Sequence, residues 1–124
     1  MRVILNMIRF ILILIIYMFP LNTYAEPSIN IGSIQAEYKV GDVISVTVSL
    51  SESPKIHGGG VNIEFNPNVF QVQSVNVDSV WNLGSKQGVI NNQTGKIDDV
   101  LFANFNGVEG ELGVATIQMK VVGS

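Results

Sequence analysis

Cysteine is absent from all 124 residues, which excludes disulfides, thiolate metal sites and a cysteine nucleophile together. Charge is scarce at 14%, and arginine is confined to Arg2 and Arg9. With a net charge of −3 the chain lacks the clustered Lys and Arg that nucleic acid rewards, so no nucleic-acid partner is expected. There is one histidine, His57, and no nucleophile-elbow pattern accompanies it. A catalytic triad needs a base oriented by a carboxylate beside an activated hydroxyl, so His57 reads as a turn or strand-start residue. The length admits one small domain and no separate cofactor fold. Neither an enzyme nor a cofactor is expected.

Apolar residues, by contrast, make up 47% of the chain, and they are unevenly placed: 19 of the first 25 residues against 39 of the remaining 99. Arg2 and Arg9 precede or flank an unbroken apolar run over 10–19, Pro20 ends it, and Thr23 and Ala25 supply small residues just before Glu26. This is the order of a secretory signal peptide cleaved between Ala25 and Glu26. A spanning helix wants about 20 apolar residues, and extending the run back to Val3 would draw Asn6 and Arg9 into it. The expected organisation is therefore a leader over 1–25 and an exported domain over 26–124, with no membrane attachment after cleavage. The expected location is extracellular, periplasmic or at the cell surface. The exported part carries five lysines against ten acids, a net charge of −5.

Those 99 residues hold 16 valines and all 12 glycines, with almost no helix-period pattern. Apolar and polar residues alternate over 44–50 and again over 61–65, the period of half-buried strands. Residues 70–77 continue the alternation with one slip in phase, as a bulge gives. Further strands are expected over 29–34, 88–90, 100–104 and 114–122. Turn chemistry separates them at Val40-Gly41-Asp42, at Asn66-Pro67-Asn68, along Asn91–Gly95, and at Asn106-Gly107. Short strands with such spacing predict an all-β fold, two sheets packed across a shared core.

Four blocks, in order, resemble the cohesin domain family. The first is Val40-Gly41-Asp42-Val43-Ile44-Ser45-Val46-Thr47-Val48, and the second runs from Gly60 through Asn66-Pro67 to Val72. Leu101-Phe102-Ala103 and residues 113–121 complete the set, so that the resemblance spans most of 28–122. It implies a jelly-roll sandwich and a non-catalytic binding role. The expected partner is a dockerin-like extracellular protein, in polysaccharide degradation, or else a polysaccharide, since carbohydrate-binding modules share the fold. A structural segment of a larger surface protein is a further alternative. Two departures from the family are legible. The sequence stops after the strand ending near Val122, where the family has one further strand, so either the sequence is truncated or an edge is left unpaired. On the family's third strand, polar contact positions fall here on Gly58 and Gly60. The resemblance leaves Asn62 and Glu64 on that strand, with Asn104 and Asn106 on a later one, as the candidate partner face.

Other residues carry alternatives. Trp81 would stack on a sugar ring if exposed and would cap the core if buried. The triple glycine 58–60 lacks the Gly-Lys-Ser/Thr of a phosphate loop and reads as a place of close backbone approach. Asp98 and Asp99, with Asp78 and the Asn91-Asn92 loop, are oxygen donors, but neighbours on an extended strand point to opposite faces, so a solvated turn is expected rather than a calcium site. No metal site is predicted. Asn92-Gln93-Thr94 matches a glycosylation sequon.

Overall fold

The computed structural model describes residues 2–4, 15–16, 28–33 and 37–123. Most of the expected leader, with the Ala25–Glu26 junction, lies outside the described residues. The elements are all strands: β1 (Arg2–Ile4), β2 (Ile15–Ile16), β3 (Ser28–Gly32), β4 (Glu37–Lys39), β5 (Val43–Glu64), β6 (Phe70–Val77), β7 (Gly84–Asn91) and β8 (Lys96–Val121). Among the described residues no helix is long and apolar enough to cross a membrane.

Two strands organise the rest. β5 and β8 pair antiparallel from Val43↔Lys120 to Glu64↔Lys96, and the register shifts several times between Val48 and Ile63. Each therefore contributes to two layers. In the first, β3 flanks 47–51 of β5 and β6 flanks 115–121 of β8, giving the order β3-β5-β8-β6. In the second, β7 flanks 96–103 of β8, while Ile15 and Ile16 of β2 pair with Asn62 and Val61 at the outer edge of β5. β1 pairs with β4 in a small separate sheet.

The sequence explains these elements. Over 43–50 the burial alternates strictly, with Ile44, Val46, Val48 and Leu50 inside, as period-two patterning requires. The slip expected in β6 is present as a register shift between Val72 and Ser74. The expected turn at Gly41 (φ 100°) is closed by a hydrogen bond from the Asp42 amide to the Lys39 carbonyl, 3.0 Å. Asn66 holds its turn by accepting from the Asn68 amide at 3.0 Å. The loop after Asn91 returns as expected: Asn91 Oδ1 accepts from Gln93 and Thr94 amides, and Gly95 takes φ 76°. At Gly95 a Cβ would lie 2.1 Å from the Phe65 carbonyl oxygen, so only glycine fits.

Three expectations are corrected. His57 is neither a turn nor a strand-start residue, because β5 runs through it without a break. Strand 44–50 does not end there; it continues through Glu52 (φ 54°) to Glu64 as one bent strand. Asn106-Gly107 does not terminate a strand either. Gly107 and Gly110 adopt positive φ inside β8, which bends the strand from one layer into the other without breaking it. One cluster of buried side chains joins the layers, including Ile44, Ile63, Phe102 and Met119. Trp81 lies within it, 4.5 Å from the Phe102 ring centroid.

Candidate functional site

The outer face of the second layer is built from the register of three strands. Val100 and Phe102 are buried, so Leu101 and Ala103 stand on the opposite, outward side of β8. Directly paired residues share a face, which places Gly58 and Gly60 of β5, and Gly84 and Lys86 of β7, beside them. Further along the same face lie Asn62 and Glu64, with Lys96 across from Glu64.

Gly58 is there for a physical reason: a Cβ would meet the Phe102 carbonyl oxygen at 2.5 Å. The close backbone approach expected of the triple glycine is thus observed, in the interior of β5 where the register shifts between Ile56 and Gly58. With no side chains at 58–60, a groove of about 380 Å³ opens between β5 and β8, floored and walled by the glycines with His57, Leu101, Phe102 and Ala103. Leu101 is exposed at 37%, and Phe105 (73%) and Leu83 (60%) extend the apolar surface. The Leu83 amide donates to the Ala103 carbonyl at 3.0 Å, which fixes Leu83 beside the strand.

The residues singled out in the sequence distribute unevenly over this surface. Asn62 is half-buried, and its Oδ1 accepts from the Asp99 amide at 2.8 Å, which holds Asp99 at φ 61°. Glu64 is half-buried on the outward face, and Asn106 is exposed. Asn104 is not on that face. It shares the inward side with Phe102, is buried, and its Nδ2 donates to the Val80 carbonyl at 2.6 Å while its Oδ1 accepts from the Asn106 amide at 2.9 Å. Asn104 therefore ties the 78–83 loop to β8, and only its neighbours are available to a partner.

Trp81 is also inside, exposed at 4%, with Nε1 donating to the Gly113 carbonyl at 2.8 Å. Its ring caps the core and is not presented to a sugar. Asp98 and Asp99 are both exposed, and among the described residues no three His, Asp or Glu side chains gather as metal ligands. Asn92 of the sequon is engaged through both amide atoms: Nδ2 donates to the Val72 carbonyl (3.0 Å) and Oδ1 accepts from the Val72 amide (2.7 Å).

Sequence reasoning missed Leu83, Leu101 and Phe105 as surface residues. A signal was present for Leu101: Val100-Leu101-Phe102-Ala103 is apolar in both phases of a strand, so one phase must face outward.

Comparisons with known proteins bear on the fold. No curated protein matches the chain by sequence. A solved structure of a type II cohesin–X–dockerin complex from Acetivibrio cellulolyticus, an N-terminal interface mutant, superposes with a TM-score of 0.64 at 20% identity, covering 79% of this chain and 72% of that one. Residues 27–124 match the cohesin domain family model, and the chain belongs to the cohesin domain family.

Proposed function

We propose that the protein is a non-catalytic attachment module that captures a dockerin-type partner on the outward face of β5, β8 and β7, within an exported polysaccharide-degrading assembly. The observation that carries this reading is an exposed apolar stretch on one layer of a cohesin fold, where Leu101 and Ala103 line a groove beside Gly58–Gly60 and the neighbouring Leu83 and Phe105 are exposed. Exposed apolar surface of this kind, rimmed by polar residues, marks interaction sites. Asn62, Glu64 and Asn106 supply the polar rim, and rim hydrogen bonds give orientation more than affinity. The leader order in the sequence supports export, and dockerin modules are extracellular partners consistent with it. Burial of Trp81 removes the aromatic platform on which the polysaccharide-binding alternative depended.

The test is a binding screen of the full chain against purified type I and type II dockerin modules by biolayer interferometry, with insoluble cellulose and xylan pull-downs in parallel. Saturable capture of at least one dockerin, with no retention on the polysaccharides, is the expected result. Retention on polysaccharide with no dockerin captured would overturn the reading.

A further inference from the structure

Asn92 sits where the two layers meet without a shared ladder. It follows β7, which belongs to the second layer, and its side chain reaches β6, the terminal strand of the first. There the carboxamide brackets one residue: Nδ2 donates to the Val72 carbonyl at 3.0 Å, and Oδ1 accepts from the Val72 amide at 2.7 Å. Val72 is buried, and the register of β6 against β8 shifts just after it. On an edge strand, backbone groups in such a place need a partner that no neighbouring strand supplies. The Asn92 carboxamide acts there as a strand one residue long. Its loop holds it in position, since Asn91 Oδ1 accepts from the Gln93 and Thr94 amides and the Gly95 amide donates to the Asn91 carbonyl at 2.9 Å.

The same asparagine opens Asn92-Gln93-Thr94, the one glycosylation triplet of the chain. Glycan transfer would join Nδ2 to the anomeric carbon of a lipid-diphosphate-linked oligosaccharide, with one Nδ2 proton lost and the lipid diphosphate released. The product is a planar secondary amide. Such amides place the nitrogen substituent on the oxygen's side of the C–N bond and the remaining hydrogen opposite. A clasp that closes on the amide and carbonyl of a single residue uses the proton on the oxygen's side. The sugar would thus occupy the place of the proton that the Val72 carbonyl accepts. We propose that Asn92 is a closed modification site: its clasp on Val72 and an N-linked glycan exclude each other, and a glycan added there unlocks the β6 edge. Exposure of Gln93 and Thr94 does not alter this, because the conflict lies at Nδ2 itself. The inference stands apart from the docking reading.

The test sets defined groups at position 92 by cell-free translation of the full chain with chemically acylated suppressor tRNA. Asparagine carrying one N-acetylglucosamine on Nδ2, and Nδ2-methylasparagine, are compared with the native, Asn92→Ala and Thr94→Ala chains. A further chain carries the glycosylated asparagine at the exposed position 93. Hydrogen exchange at the Val72 amide is the readout. It should quicken by about tenfold or more in both Nδ2-substituted chains and in Asn92→Ala. It should stay native in Thr94→Ala, which loses the triplet and keeps the clasp, and in the chain with the sugar at 93. A chain that folds with the sugar at 93 and fails to fold with it at 92 also supports the inference. Native protection of Val72 in either Nδ2-substituted chain overturns it, and so does an equal loss of protection with the sugar at 93.

Discussion

The outward faces of the two layers follow the same strand period and differ in chemistry at their centres. Along the first, Ser45, Thr47, Thr116 and Gln118 alternate with buried Ile44, Val46, Ala115 and Ile117. Their polar groups are partly satisfied among themselves: Gln118 Nε2 donates to Ser45 Oγ at 2.8 Å, Thr47 Oγ1 to the Gly32 carbonyl at 3.4 Å, and Asn30 Nδ2 to Ser51 Oγ. Along the second, Gly58, Gly60, Leu101 and Ala103 form an apolar stretch with Phe105 exposed nearby, set between Lys86 of β7 and the Asn62, Glu64 and Lys96 positions further along the face. The first face is mainly polar, with Val43 exposed at its end; the second carries a continuous apolar stretch that water solvates poorly. Two layers threaded by the same two strands thus differ through the residues that alternation leaves free, and that freedom is where a binding role can be written without disturbing the core.

The comparison can be broken most severely from beneath. Phe102→Ala removes the ring that packs on Trp81 under the groove and should cost about 3–5 kcal/mol in chemical denaturation, with dockerin capture falling in proportion to the unfolded fraction. Asn104→Ala strips a donor from the Val80 carbonyl and an acceptor from the Asn106 amide. A loss of roughly 1–3 kcal/mol is expected, with capture retained below the melting temperature because the side chain is buried; a loss of capture in folded protein would put Asn104 back at the interface. Thr47→Glu tests the wet face: stability should stay within about 0.5 kcal/mol and dockerin affinity within error, whereas equal damage to capture from either face would erase the distinction.

The smallest effect concerns alkaline pH. Burial raises the Tyr38 phenol above its ordinary value of 10.0, offset in part by a hydrogen bond with Ser33. A raised folded value means that the protonated phenol's contribution is full below the unfolded pKa and is lost as pH rises through the folded one. Melting temperature should therefore decline above pH about 10 more steeply than in Tyr38→Phe.

The sequence legible as a sandwich was legible for a reason. Strict alternation over 44–50 has one physical solution, a strand with one face in the core, and it is found. The Asn66 and Asn91 turns were readable because their side chains close the turn locally. What periodicity does not carry is the fate of a strand at a bend: Glu52, Gly107 and Gly110 turn β5 and β8 between layers by positive φ, and a glycine beside an asparagine is locally indistinguishable from a terminus. The site shows the same limit. The resemblance assigns Asn62, Glu64 and Asn104 alike to the partner face; Asn62 and Glu64 also alternate with buried Ile63, but Asn104 reads as a surface amide until the 78–83 loop, some 20 residues earlier in the chain, is folded against it. Only tertiary contact distinguishes a tether from a contact residue.

The pairing of β5 with β8 also sets the order of events in time. Glu64 meets Lys96, and Val43 must wait for Lys120, so the principal ladder joins segments distant in sequence and closes from the middle of the chain outward. Loop closure is paid before these pairings return anything, which makes folding slow for a domain of this size. While the chain emerges, residues 43–64 lack their principal ladder partner until β8 follows, with only 47–51 flanked by β3 and 61–62 by β2, and their valines and isoleucines stay open to aggregation or to a chaperone. A core that cannot close until β8 is available keeps the β5 segment in an open, unpacked state until residue 121 has been made, so the domain folds as one unit and not segment by segment.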